Sequence, residues 1–264
     1  MVELLILGTG GATATASRDN TSFLIKINGR LILIDCPGSI IHKLKKAGER
    51  PEEISRLLIT HIHPDHIYGL PSLVHGLMLV EKKIYIYGSR ETMDFVATLL
   101  DLFELRQPKI KYQTVLVPFE PGEEKRLDQG LRVKAIATPH HSSSLAYLLT
   151  MEETHQKWLF SGDTPPHPPL WAEAREVDLL IHEASAPRRF FEAYPELKEV
   201  HTSSYELGYY AEQAGVKRLI PCHFFGEVDF SLEEIEAEIR ANYSGELFIP
   251  HDLERWPGKN KLNG

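Results

Sequence analysis

Residues 57–71, "LLITHIHPDHIYGLP", constrain the fold more than any other part of the chain. Leu57, Leu58 and Ile59 make an apolar run of the kind that lies in a buried strand, and His61, His63, Asp65 and His66 follow at once. A rigid element that hands side chains to a loop is a favourable scaffold for a site. His61 and His63 have period-two spacing, so in an extended segment they point the same way. Imidazole nitrogen suits zinc, and a carboxylate adds a harder ligand. A solvated polar loop explains any one of these residues, but not four donors within six positions.

One metal ion needs more ligands than this turn supplies, and the pattern of apolar run followed by donor recurs. "AIATPHHSSSLAYLL" sets His140 and His141 behind a strand, "WLFSGDT" sets Asp163 behind another, and "RLIPCHFF" ends a third in His223. Each is weak alone, because a strand-terminal aspartate is commonly a turn former and a lone histidine commonly just hydrogen-bonded. Together they offer donors for two metal ions, with Asp163 able to bridge. Glu183 ends the run "VDLLIHEAS", and His201 opens the helical stretch "HTSSYELGYYAEQAG". A carboxylate that accepts a hydrogen bond from imidazole fixes its tautomer and raises its pKa, which makes a proton donor. The plainer reading of that pair is a surface glutamate and a histidine at a helix start.

Length and composition set the frame. The chain has 264 residues, 42% hydrophobic and 25% charged, which is ordinary for a globular protein with a large core. No apolar stretch reaches the roughly 18 residues of a membrane helix, and "MVELLILGTGG" reads as a first strand rather than a leader. A cytoplasmic protein is expected. The two cysteines, Cys36 and Cys222, form no C-x-x-C pair and are expected to be free, buried thiols. A formal net charge of −8 argues against indiscriminate nucleic-acid binding, which depends on Lys and Arg.

Strands and helices come in two groups. Strands are expected in "VELLILG", "TSFLIKI" and "RLILIDC", the last two joined by the hairpin signal Asn28-Gly29. A helix in "SIIHKLKKAG" stops at Gly48, and "SRETMDFVATLLDLFEL" is a helix with Ser89 as its cap. The middle of the chain is strand-rich, and the last third alternates strand and helix. No linker or repeat marks a boundary, so one domain over 1–264 is expected, built of two mixed sheets with helices on the outer faces. "GTGGA" superficially matches a dinucleotide loop, but another strand follows it rather than a helix, which rejects that reading. The Pro-rich "DTPPHPPLW" after Asp163 is expected to wall the pocket, with Trp171 as an apolar surface.

The donor set resembles the metallo-β-lactamase superfamily from residue 2 to about residue 226, with H-x-H-x-D-H as its most specific element. The resemblance implies an αβ/βα sandwich and a centre of two divalent metal ions, zinc first, with manganese or iron as alternatives. It assigns His61, His63 and His140 to one ion, Asp65, His66 and His223 to the other, and Asp163 to both. His140 is preferred to His141 because Ala146-Tyr147 follows it in the H-x5-[GA]-Y pattern. "HEAS" and "HTSSYELGYYAEQAG" resemble the ribonuclease Z-like (tRNase Z-like) phosphodiesterase branch, where Glu183 and His201 are catalytic together with Asp65. The implied function is hydrolysis of a small or cyclic phosphodiester or of an RNA 3′ end. Thioester or ester hydrolysis on the same metals is the alternative, and a non-catalytic metal- or RNA-binding scaffold a second one. Relatives of this kind are often dimers, so a homodimer is included among the expected partners.

The chain departs from that branch in two places. Only "LLTMEETHQKWLF" separates Tyr147 from Ser161, so no long RNA-gripping exosite arm is expected, only a hairpin with an acidic tip. The Ser-Arg-Tyr that follows the last histidine in that branch is replaced by Phe224-Phe225-Gly226. Both departures suit a small substrate.

Overall fold

The computed structural model describes residues 2–175 and 177–257. Met1, Glu176 and residues 258–264, which fall within the single domain expected from the sequence, lie outside the described residues. The chain divides into two compact units. The first comprises residues up to Phe119 together with those from His251 onward, and the second is Glu120–Pro250.

The first unit opens with β1 (Val2–Gly8), β2 (Ser22–Ile27) and β3 (Arg30–Ile34), an antiparallel meander. The β2–β3 turn uses Asn28 and Gly29 at φ 49° and 80°, the positive pair that a tight hairpin with the sheet's natural twist requires. Then come α1 (Ile40–Lys46), β4 (Ile54–Leu58), α2 (Pro64–Ile67), α3 (Leu70–Gly76), β5 (Lys82–Ser89), α4 (Arg90–Leu102) and β6 (Tyr112–Phe119). β3, β4, β5 and β6 pair in parallel. Ser89 caps α4 by accepting from the Thr92 amide at 3.1 Å. One face of the sheet buries Leu5, Leu33 and Leu57 against Leu44, Leu73 and Val96 of the helices. Each such side chain contributes about 1.5–3 kcal/mol relative to exposure.

The second unit runs β7 (Glu124–Asp128), β8 (Leu131–Ala137), β9 (Leu145–Met151), β10 (Lys157–Phe160), α5 (Pro168–Glu173), β11 (Leu179–Glu183), α6 (Arg188–Ala193), α7 (Ser204–Gln213), β12 (Arg218–Cys222), α8 (Leu232–Arg240) and β13 (Glu246–Leu247). β7 to β10 pair antiparallel, and β10 to β13 pair in parallel. Leu159, Leu180 and Leu219 bury one face against Leu170, Leu207, Ile235 and Ile239. After this unit the chain returns to the first sheet as β14 (Glu254–Trp256), antiparallel to β1. Just before it, Asp252 accepts from Thr9 Oγ1 and from the Asp19 amide at 2.8 Å each and pairs with the buried Lys43 at 3.3 Å. Sheet order is therefore β14-β1-β2-β3-β4-β5-β6 in the first unit and β13-β12-β11-β10-β9-β8-β7 in the second.

Among the described residues Cys36 and Cys222 are buried and form no disulfide, as expected, and burial pushes the Cys36 thiol far up. Among the described residues no helix is long and apolar enough to cross a membrane.

Candidate functional site

In both units the polar side chains collect just beyond the carboxyl ends of strands, most of them parallel ones, the usual place for a site in sheets of this kind. In the first unit β3 ends at Ile34, and Asp35 follows in the left-handed conformation at φ 59°, buried. Its carboxylate accepts from the Thr60 amide at 2.7 Å and from the Thr60 hydroxyl at 2.9 Å. It also lies 2.8 Å from His66 Nδ1. Burial raises the Asp35 pKa, although His66 and Thr60 oppose that shift. With Nδ1 held by Asp35, the other nitrogen of His66 turns toward Asp65, 3.2 Å from its Oδ2. Such a carboxylate–imidazole pair fixes the ring of a metal-binding histidine.

β4 delivers His61, which is fully buried, with Nδ1 3.1 Å from Thr60 Oγ1 and Nε2 2.9 Å from His63 Nδ1. His63 stands immediately before α2 and Pro64 is the first helical residue, a position where its missing N–H costs nothing. Gly69 lets the next turn close on the end of β3: a Cβ there would lie 1.8 Å from the Pro37 carbonyl oxygen. Asn20 closes its own loop by donating to Gly11 O at 2.6 Å, and it accepts from the Tyr68 hydroxyl at 3.3 Å.

In the second unit the register of β10, β11 and β12 lines up Phe160 with Ile181 and Glu183 with Cys222. Asp163 and His223 follow those strands and lie 3.0 Å apart, Oδ2 to Nε2. His140, beyond β8, sets Nε2 3.8 Å from the same oxygen, and its Nδ1 donates to Val200 O at 2.8 Å. Burial lowers the His140 pKa despite Asp163 nearby, so a neutral, ligand-ready imidazole is favoured. His141 turns its ring to Ser143 Oγ at 2.8 Å instead.

Glu183 is fully buried and lies 3.0 and 3.3 Å from His201 Nδ1 through its two oxygens. It also accepts from the Thr164 amide and from Ser185 Oγ. Burial drives both groups toward neutrality, but each partner's charge outweighs it: the Glu183 pKa falls and the His201 pKa rises. The His201 segment is pinned by Thr202 Oγ1 donating to Thr164 O at 2.7 Å and by the Ser203–Glu206 capping box that starts α7. Phe225 packs edge-on against His201 at 5.0 Å.

Asp35, Thr60, Thr164 and Ser185 were not read from the sequence as site residues. Asp35 did carry the same signal as the others, since it directly follows the apolar run of β3. Trp171, expected to wall the catalytic pocket, is buried, stacks on His182 and Tyr210, and lines a cavity that contains none of the nine candidate site residues. The β9–β10 hairpin is short, and Glu152 at its tip pairs with Arg126 and with Arg132.

The donor chemistry fits divalent metal ions. In the second unit His140, Asp163 and His201 present ligand atoms within 4.8 Å of one another, and in the first the loop after β4 carries three imidazoles and a carboxylate.

Comparison with known proteins places this arrangement. A family model described as Anti-Pycsar protein Apyc1 matches residues 2–227. A ribonuclease Z of Methanosarcina acetivorans is 24% identical over 303 aligned positions, which cover 96% of this chain and 97% of that one. The metallo-β-lactamase fold protein YhfI from Bacillus subtilis matches with a TM-score of 0.80 at 19% identity, covering 97% and 98% of the two chains. Human tRNase Z, short form, matches at 0.78 with 22% identity over 96% and 98%. At these identities the solved structures show the fold alone, and it is the expected metallo-β-lactamase fold. The chain belongs to the Anti-Pycsar protein Apyc1 family and is a ribonuclease Z-like metallo-hydrolase.

Proposed function

We propose that the chain is a two-metal phosphodiesterase whose substrate is a small or cyclic phosphodiester. His61, His63 and His140 would hold one ion, Asp65, His66 and His223 the second, and Asp163 both, with zinc the first candidate and manganese or iron the alternatives. Bound there, the ions would supply the Lewis acidity that hydrolysis of a phosphodiester needs.

The remaining work falls to side chains. Asp65 would orient the attacking water and take its proton as the new oxygen–phosphorus bond forms. His201 would give the proton on Nε2 to the leaving oxygen as the old bond breaks. The observation that carries this reading is the Glu183–His201 pair at 3.0 Å, which keeps Nδ1 occupied and favours the protonated imidazole. The short β9–β10 hairpin, Phe224-Phe225-Gly226 after His223, and the net charge of −8 support a small substrate over a polynucleotide.

The reading includes a cytoplasmic homodimer. A cavity of about 560 Å³ beside the β4–α2 loop is lined by Ile62, Ile67, Leu99 and Phe103, and exposed Tyr68, Phe95 and Leu102 stand in the same segments. A patch that holds both hollow and protruding apolar groups can pair with its own copy about a two-fold axis. The wild type should sediment as a dimer and Phe103→Lys as a monomer; a monomeric wild type would remove the dimer from the reading, and a dimeric variant would remove this surface as its interface.

The substrate test compares zinc- or manganese-loaded protein on a 3′,5′-cyclic nucleotide, a precursor tRNA with a 3′ trailer and an activated thioester, with bis(p-nitrophenyl) phosphate as control. Hydrolysis of the cyclic nucleotide with an intact precursor is expected. Cleavage of the precursor alone, or of the thioester alone, would replace the proposal with RNA 3′ processing or with thioester hydrolysis.

A further inference from the structure

We propose that the cavity between α5 and the end of α7 is a second ligand site, built for a small planar aromatic anion. The cavity measures about 260 Å³ and is lined by Pro166, Pro168, Trp171, Arg175, Tyr210 and Gln213, among others. It lies wholly in the second unit and includes no candidate metal donor and neither member of the Glu183–His201 pair.

Three features of the wall point to the ligand class. The first is aromatic. Trp171 stacks on His182 at 5.0 Å and 17° and on Tyr210 at 5.3 Å and 21°, and its indole N–H has no hydrogen-bond partner among the described residues. A planar ring laid beside this pile gains the offset contact that aromatic groups favour. The second is charge. Arg175 is exposed and lines the cavity, and among the described residues the two carboxylates near it in sequence are already engaged. Glu173 holds Lys134 at 2.7 Å, and Asp178 holds Lys217 at 2.8 Å. The planar fork of its guanidinium matches a carboxylate or a phosphate. The third is rigidity: two prolines fix the backbone on one side, and the amide of Gln213 supplies donor and acceptor on the other.

Size narrows the class. At about 260 Å³ the cavity is smaller than the roughly 300–1,000 Å³ pockets that enclose drug-sized ligands, so it has room for one ring with one anionic group and not for an oligonucleotide. A ligand here would sit beside the strand that carries the proton donor's carboxylate, since His182, beneath Trp171, donates through Nδ1 to the Glu183 carbonyl at 2.8 Å.

The three tryptophans give a direct readout. The indole N–H resonances of the metal-loaded protein would be followed while nicotinate or cytidine 5′-monophosphate is added, with Trp171→Phe assigning the signal. A saturable shift confined to Trp171 is expected. It should weaken by about ten-fold or more, the worth of one charge-assisted hydrogen bond, when nicotinamide or cytidine replaces the anion, and again in Arg175→Gln. A Trp171 signal unmoved by both anions at millimolar concentration would overturn the proposal. So would equal affinity for the neutral analogues, or an Arg175→Gln protein that binds as the wild type does. Arg175 is exposed, so its substitution is expected to leave folding intact, which the unchanged melting temperature of the variant would check.

Discussion

The two sheets are built to one plan and furnish their donors in opposite ways. Each has three antiparallel pairings followed by three parallel ones. In the first unit a single strand end, after β4, supplies His61, His63, Asp65 and His66, and only Asp35 comes from a neighbouring strand. In the second unit His140, Asp163, Glu183 and His223 come from the ends of β8, β10, β11 and β12, and His201 from the segment before α7. The first set is fixed by one turn of chain. The second exists only when four strands are in register, so it ties the site to the integrity of the sheet.

The comparison can be broken most directly at Asp163, which touches two histidines of the assembled set. Asp163→Asn should lower turnover of bis(p-nitrophenyl) phosphate by roughly a thousand-fold, the several kcal/mol that metal-ion catalysis supplies; retention of most activity would remove Asp163 from the centre. Next comes His201→Ala, expected to cost roughly 10²–10⁴-fold with an alkoxide leaving group and far less with nitrophenolate. Equal losses on the two esters would exclude a proton donor at this position.

Asp35→Asn tests the local set. It should weaken metal binding by about 10–100-fold, the usual effect of removing a group that orients a ligand, whereas Glu183→Gln should leave metal affinity close to wild type. Metal-competition titration of the two variants decides whether the units differ in this way.

The Glu183–His201 pair also sets a pH window for stability. The His201 pKa is raised, so its contribution is complete below the ordinary imidazole value of 6.5 and is lost as pH rises through the raised value. The Glu183 pKa is lowered, so its contribution is complete above the ordinary 4.5 and is lost as pH falls through the lowered value. The melting-temperature gap between wild type and Glu183→Gln, both stripped of metal, should peak between those values; a gap independent of pH would contradict the ion pair. The smallest effect is at Ser203, the cap of α7 just past His201. Ser203→Ala should cost about 1 kcal/mol, a drop in melting temperature of about 2–4 °C, without changing metal affinity.

What could be read in the sequence follows the same division. The hairpin at Asn28-Gly29, the Ser89 cap and the four donors after β4 are local, and local patterns predict them. His140, Asp163, Glu183 and His223 were legible because each ends an apolar strand. Their mutual distances were not, because register sets them. Ser185 and Thr164 look like any small polar residues until β11 and the loop after β10 bring them to Glu183. β7, α5 and β14 are among the elements that local pattern does not reveal, each for a physical reason. β7, "EKRLD", is an edge strand, where charge protects an unpaired backbone and erases the apolar alternation. α5 lies in a Pro-rich stretch that reads as loop, although proline is well placed in a first helical turn. β14 has only three residues and finds its partner at the opposite end of the chain.

That last pairing has a consequence for how the protein is made. The second unit is one continuous stretch, so a nascent chain can complete it once Pro250 has left the ribosome. The first unit, though synthesised earlier, must wait with one edge of β1 bare and Lys43 lacking Asp252 until the final segment emerges. The half whose synthesis starts first is therefore the half that is completed last.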